Sequence, residues 1–281
     1  MAAVTASAPA LAHHQWGTYR WATLGTGLQV KVNAALTASG GWGATVNGAV
    51  QAWNATGALT LNNPYTPSGA STKRCDPIAK EILVCNDAYG QRGWLGIASI
   101  WTDSRGHISK ATTKLNDSYF TLPKYNTASW RMMVACQEIG HDFGLDHQDE
   151  AFDNYNLGTC MDYTNYPDGG IHGVVDYGPN NIGLNPHDNE ELNIIYLTPV
   201  TSNDGYSSAN SLSYPPSSST TRGQPLQDFE AGSGDGPAEW GRPVRRDTKG
   251  RPDMFIHDFP DGRKVITHVF WALETTAAEV R

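Results

Sequence analysis

Cys136-Gln137-Glu138-Ile139-Gly140-His141-Asp142-Phe143-Gly144-Leu145-Asp146-His147 decides the reading of this chain. Glu138 and His141 are three residues apart and share one face of a helix. Gly144 can take the left-handed conformation that ends a helix. The chain can then reverse and bring His147 back beside His141. Two imidazoles and a carboxylate converging on one point have the makings of a catalytic zinc site. An amphipathic helix with buried histidines is the plainer alternative, but an apolar core has no use for Glu138 beside them.

The stretch resembles the metzincin signature H-E-x-x-H-x-x-G-x-x-H, matching at Glu138, His141, Gly144 and His147. Gln137 stands where that family has its first histidine. Downstream, Gly158-Thr159-Cys160-Met161-Asp162-Tyr163 is similar to the methionine turn that lies beneath the metal, with Met161 as the turn methionine. Tyr163, two residues on, has the spacing of the tyrosine that reaches the metal or the developing oxyanion in the astacin and serralysin branches; packing beneath the cleft is the alternative. The resemblance, to the matrixin/astacin-like clan and its secreted bacterial members, covers about residues 25 to 200. It implies a zinc-dependent endopeptidase acting on peptides or proteins. Glu138 would be the general base, Tyr163 a second catalytic group, and His141, His147 and Gln137 the metal ligands.

Gln137 leaves three outcomes open. Its amide oxygen, a poorer donor to zinc than imidazole, coordinates weakly; another group supplies the third ligand; or the site binds no metal. His13 and His14 are further candidates for that ligand, although no spacing requires them. In the third outcome the chain is an inactive binding module for peptides or partners. Asp149, Glu150, Asp153, Asn154 and Asn156 cluster oxygen donors that suit calcium, but they fit no EF-hand spacing, and a solvated acidic loop is the simpler account.

The fold class expected is α+β. Leu28–Asn33, Leu59–Leu61, Glu81–Cys85, Gly96–Trp101 and His107–Leu115 read as strands, and Gly43–Ala58 and Ser129–Leu145 as helices. By the resemblance this order makes a mixed, twisted, five-stranded sheet backed by two long helices, with Gly96–Trp101 as an antiparallel edge strand to which an extended peptide can add. A lower subdomain follows, carrying the methionine turn and a closing helix begun by Asn185 as cap and Pro186.

Cys75 and Cys85 flank a short loop, and Cys136 and Cys160 precede the two site motifs. Four cysteines allow three pairings. Pairing 75 with 85 and 136 with 160 staples the active helix to the methionine turn, and suits an oxidising destination.

The chain has 281 residues, enough for one large domain or two small ones. Its formal charge of -8, with no clustered cations, argues against nucleic acid as a partner. No apolar run is long enough to span a membrane, and a monomer is expected. Residues 1–12 end in Ala10-Leu11-Ala12, a signal-peptidase pattern without a charged n-region or a full apolar core. They read as a truncated export signal preceding a catalytic domain over 13–200, so secretion is expected. Residues 201–239, rich in Ser, Pro and Gly, read as a linker. Residues 240–272 read as a small extension whose strands Met254–Phe259 and Lys264–Trp271 flank the turn Pro260-Asp261-Gly262, followed by a tail over 273–281. A lone hairpin is marginal in water, so this one is expected to dock on the catalytic domain or pair with Trp240–Val244.

Overall fold

The computed structural model describes residues 13–199 and 234–276. The expected leader and most of the linker lie outside the described residues.

The architecture is α+β. In chain order the strands are β1 (Arg20–Trp21), β2 (Leu28–Ala35), β3 (Leu59–Leu61), β4 (Thr66–Pro67), β5 (Glu81–Asp87), β6 (Trp94–Thr102), β7 (His107–Asn116), the small pair β8 (Ile171–His172) and β9 (Val175–Asp176), then β10 (Arg242–Arg246), β11 (Pro252–Asp258) and β12 (Lys264–Trp271). The helices are α1 (Gly43–Asn54), α2 (Asp117–Phe120), α3 (Ala128–His141), α4 (Pro186–Leu197) and α5 (Pro237–Trp240).

The expected five-stranded unit is present as β6-β7-β5-β2-β3, parallel except where β6 runs antiparallel to β7. Val46, Ala49, Val50 and Trp53 form the buried stripe of α1 and pack with α3 against this sheet. Thr127 caps α3 by accepting from the Trp130 amide. Asn185 caps α4 in a capping box with Asp188, and Pro186 opens its first turn.

Helix α1 ends at Asn54 rather than Ala58, and two further expectations need correcting. The first is the extent of the active helix, which ends at His141 rather than Leu145. Amides 143 and 144 bond back to the carbonyls of Gly140 and His141, tightening the last turn, and Gly144 follows with φ +87°. A Cβ at Gly144 would collide with the Tyr19 carbonyl, so both backbone sign and space demand glycine.

The second is the position of β6, which is not an edge strand. The C-terminal residues form three antiparallel strands, β10-β11-β12, and β12 continues the sheet along β6 from Lys264↔Thr102 to Trp271↔Trp94. Both docking modes foreseen for the hairpin occur together. Period-two alternation explains the seating. Ile266 and Phe270 join the main core, while Val269 and Trp271 face a second cluster with Tyr89, Trp94, Ile97, Trp240 and Phe255. An uncapped β6 would present unpaired amides and carbonyls, and β12 satisfies them.

Candidate metal centre

α3 carries Gln137, Glu138 and His141 into the interior, all fully buried. Two glycines make the room. A Cβ on Gly140 would lie 2.5 Å from the Met161 sulfur, so the methionine of the downstream turn rests against this helix. A Cβ on Gly96 of β6 would meet Glu138 Cγ at 2.8 Å. The Cys136–Cys160 disulfide ties helix to turn, and Cys75–Cys85 closes the loop before β5, so both expected pairings are present.

After Gly144 the chain returns. Residues 14–16 run alongside it: Trp16 donates to the Gly144 carbonyl, Asp146 donates to the His14 carbonyl, and Gln15 bridges Leu145. This brings His147 back, with ring centroids of His141 and His147 4.9 Å apart. Nδ1 of His141 lies 2.8 Å from the Leu145 carbonyl, and Nδ1 of His147 lies 3.4 Å from a Glu150 oxygen. Each ring is therefore fixed through one nitrogen, and the other, Nε2, is buried without a protein partner.

The third imidazole comes from the far end of the chain. His268 sits on β12 between Ile266 and Phe270 and is fully buried. Its ring lies 4.0 Å from His141 and 4.7 Å from His147, and the three residues can offer nitrogens within 4.8 Å of one another. His268 also meets both expected catalytic groups. Its Nδ1 is 3.3 Å from a Glu138 oxygen, and its Nε2 is 2.9 Å from the Tyr163 hydroxyl. The only sequence-level sign of it is one histidine inside a mostly apolar strand. Sequence spacing cannot show which strand β12 joins.

Gln137 donates through Nε2 to the Cys160 carbonyl at 2.7 Å, and its Oε1 is buried without a hydrogen-bond partner. His13 and His14 lie elsewhere, against Glu191 and the Asp146 carbonyl. In the acidic loop, Asn154 donates to Asp149, Asn156 donates to the carbonyls of Tyr166 and Pro179, and Glu150 pairs with Arg245.

Burial sets the electrostatics. Desolvation pushes the Glu138 carboxyl well up, with Asp142 adding to the rise while the Ala98 amide opposes it. Desolvation lowers His147 to about 3, helped by the nearby Arg245 guanidinium. His141 and His268 are lowered by desolvation first and then by neighbouring imidazoles. The rings are therefore neutral at physiological pH, the form that ligates metal. Arg245 of β10 pairs with Asp146 at 2.6 Å, Asp253 at 2.9 Å and Glu150 at 3.2 Å, anchoring the C-terminal strands to the loop that carries His147.

No family model and no curated protein matches the chain. Among solved structures it is similar to high choriolytic enzyme 1, a hatching-enzyme zinc protease from medaka (Oryzias latipes), at 14% identity and TM-score 0.32, over 63% of this chain and 93% of that one. It is similar also to myroilysin at 13% identity and TM-score 0.31, over 64% of this chain and 84% of that one. At that distance neither likeness bears on this chain's activity or metal.

Proposed function

We propose that the chain is a secreted zinc-dependent metalloendopeptidase held closed, in this conformation, by its own C-terminal strand. The observation that carries the reading is the convergence of three neutral imidazoles beside Glu138. The donor set fits zinc: His141 and His147 each have one nitrogen anchored and a buried Nε2 with no protein partner. His141 and His147 would hold the ion, with His268 as a third donor once its Nε2 leaves the Tyr163 hydroxyl, and Gln137 Oε1 as the weaker neutral donor that remains when β12 moves aside. When bound, zinc polarises a peptide carbonyl and makes water more acidic.

The chain's own groups supply the rest. Glu138 takes a proton from the attacking water and returns it to the leaving amine, and desolvation raises the proton affinity of its carboxylate. Tyr163, once released from His268, would donate a hydrogen bond from its hydroxyl to the developing oxyanion. The Ala98 amide, Gly96 and Met161 hold Glu138 and α3 in position. In this conformation β12 lies along β6, where an extended peptide would pair, and His268 occupies both Glu138 and Tyr163. Peptide binding at β6 requires β12 to move aside.

That same coverage favours a second reading, in which the centre binds metal but never turns over. Metal content should be measured alongside cleavage of an unfolded protein with and without chelator, in the parent and in a variant with β12 loosened (V265D/V269D). The peptidase reading expects zinc in the parent and chelator-sensitive cleavage that rises in the loosened variant and vanishes with added E138Q. Zinc without cleavage in either protein selects the second reading, and absence of zinc overturns both.

A further inference from the structure

A second cluster of buried ligand groups lies where the N-terminal segment meets α4. His187 and Glu191 are four residues apart on that helix and so share a face. His14 approaches them from the segment paired with residues 144–146. The three side chains are 8%, 1% and 3% exposed for His187, Glu191 and His14. They can offer ligand atoms within 4.8 Å of one another.

We infer that His14, His187 and Glu191 form a second site for a divalent transition metal such as zinc. Two imidazoles and a carboxylate are a zinc donor set. His14 is oriented to ligate. Its Nδ1 lies 3.0 Å from the Asp146 carbonyl, leaving Nε2 buried without a hydrogen-bond partner. Asp188 Oδ1 stands 3.8 Å from that nitrogen, too far for a hydrogen bond. Asp188 is already engaged by Gln148, Thr159 and the Asn185 amide. The His14 and His187 rings are 4.8 Å apart and tilted by 47°, so they do not stack face to face. Glu191 receives the His14 amide at 3.3 Å and faces His13 Nδ1 at 3.1 Å.

Charge argues the same way. Asp188 and Glu191 are two buried carboxylates one turn apart on α4, and carboxylates removed from water need compensating positive charge. A dication between His14, His187 and Glu191 supplies it beside both. The site would pin residues 13–16, including Trp16, whose ring lies 5.3 Å from His141 and 6.4 Å from His268. The second ion would thus steady the wall of the first centre without joining its chemistry.

The test is metal stoichiometry of the full chain after zinc loading and dialysis, with the zinc-induced rise in Tm as a second readout. H187Q and E191Q should each lose one equivalent, whatever the first centre retains. In an H141A/H147A background, one equivalent and a zinc-induced Tm rise should persist and should disappear when H187Q is added. Using Gln for His187 and Glu191 keeps the volume near native. Unchanged stoichiometry and an unchanged Tm rise in H187Q and E191Q overturn the site, as does an H141A/H147A protein that binds no zinc. Neither outcome depends on whether the first centre cleaves peptides.

Discussion

The loop from Gln137 to His147 and the strand β12 deliver imidazoles to one point by opposite means. The loop does so locally. His141 and His147 lie six residues apart, and one glycine that no other residue can replace brings them together. β12 does so at long range, since His268 reaches His141 only because Lys264–Trp271 pairs along β6 in one register. A slip by one residue would turn His268 to the opposite face. On the proposed reading, a motif that lacks one ligand within its own span regains it from a strand on the far side of a long linker.

The sharpest way to break this comparison is to remove the local pair. H141A or H147A should lower zinc affinity at the first centre by more than about two orders of magnitude, the scale of losing a direct ligand rather than its supporting shell; retained affinity in competition with a chelator would mean the centre is misassigned. E138Q should leave zinc at that centre unchanged and lower turnover, in a variant with β12 loosened, by about two to four orders of magnitude, as expected for a lost general base. Steady-state cleavage alongside metal analysis separates the two effects.

The long-range half is tested by exchange. H268A should weaken zinc at the first centre, by less than loss of either local histidine because Gln137 remains as a third donor. Adding Q137H should restore most of that affinity, one imidazole replacing the other. If H268A/Q137H binds zinc no better than H268A, helix and strand are not interchangeable sources of the third ligand.

Smaller effects concern the supports. C136S/C160S removes the staple between helix and turn and should cost about 2–4 kcal/mol in denaturant unfolding, on the chain-entropy account of disulfides. R245A uncouples the C-terminal strands from the His147 loop and strands Asp253, which is fully buried. With the guanidinium itself partly exposed, a cost of about 1–3 kcal/mol is expected, below that of a wholly buried pair. Faster amide exchange in β12 should accompany it, and unchanged exchange would show that Arg245 does not hold the strand.

Much of this is legible in the sequence. The strands of the five-stranded unit, both long helices, the Asn185 cap, the glycine turn and the two disulfides follow from periodicity, caps and motif spacing, which act over a few residues. The end of α3 does not, because a motif fixes which residues converge and not where the last helical hydrogen bond falls. Nor does the interior position of β6, because edge status depends on what pairs with a strand, and its partner is separated from it by a polar linker.

The sequence by itself determined that His141, His147 and Glu138 share a site, since helix pitch and one glycine turn suffice to bring them together. It determined also that Lys264–Trp271 is a strand with Ile266, His268 and Phe270 on one face. Only the tertiary structure decided that this face meets the metal motif, that Arg245 and Trp16 flank it, and that His14 meets His187 and Glu191 across the molecule. The physical reason is range. Backbone sterics and side-chain period are properties of neighbouring residues. Which strand closes a sheet, by contrast, is settled by burial and hydrogen bonding between segments that share no local signal.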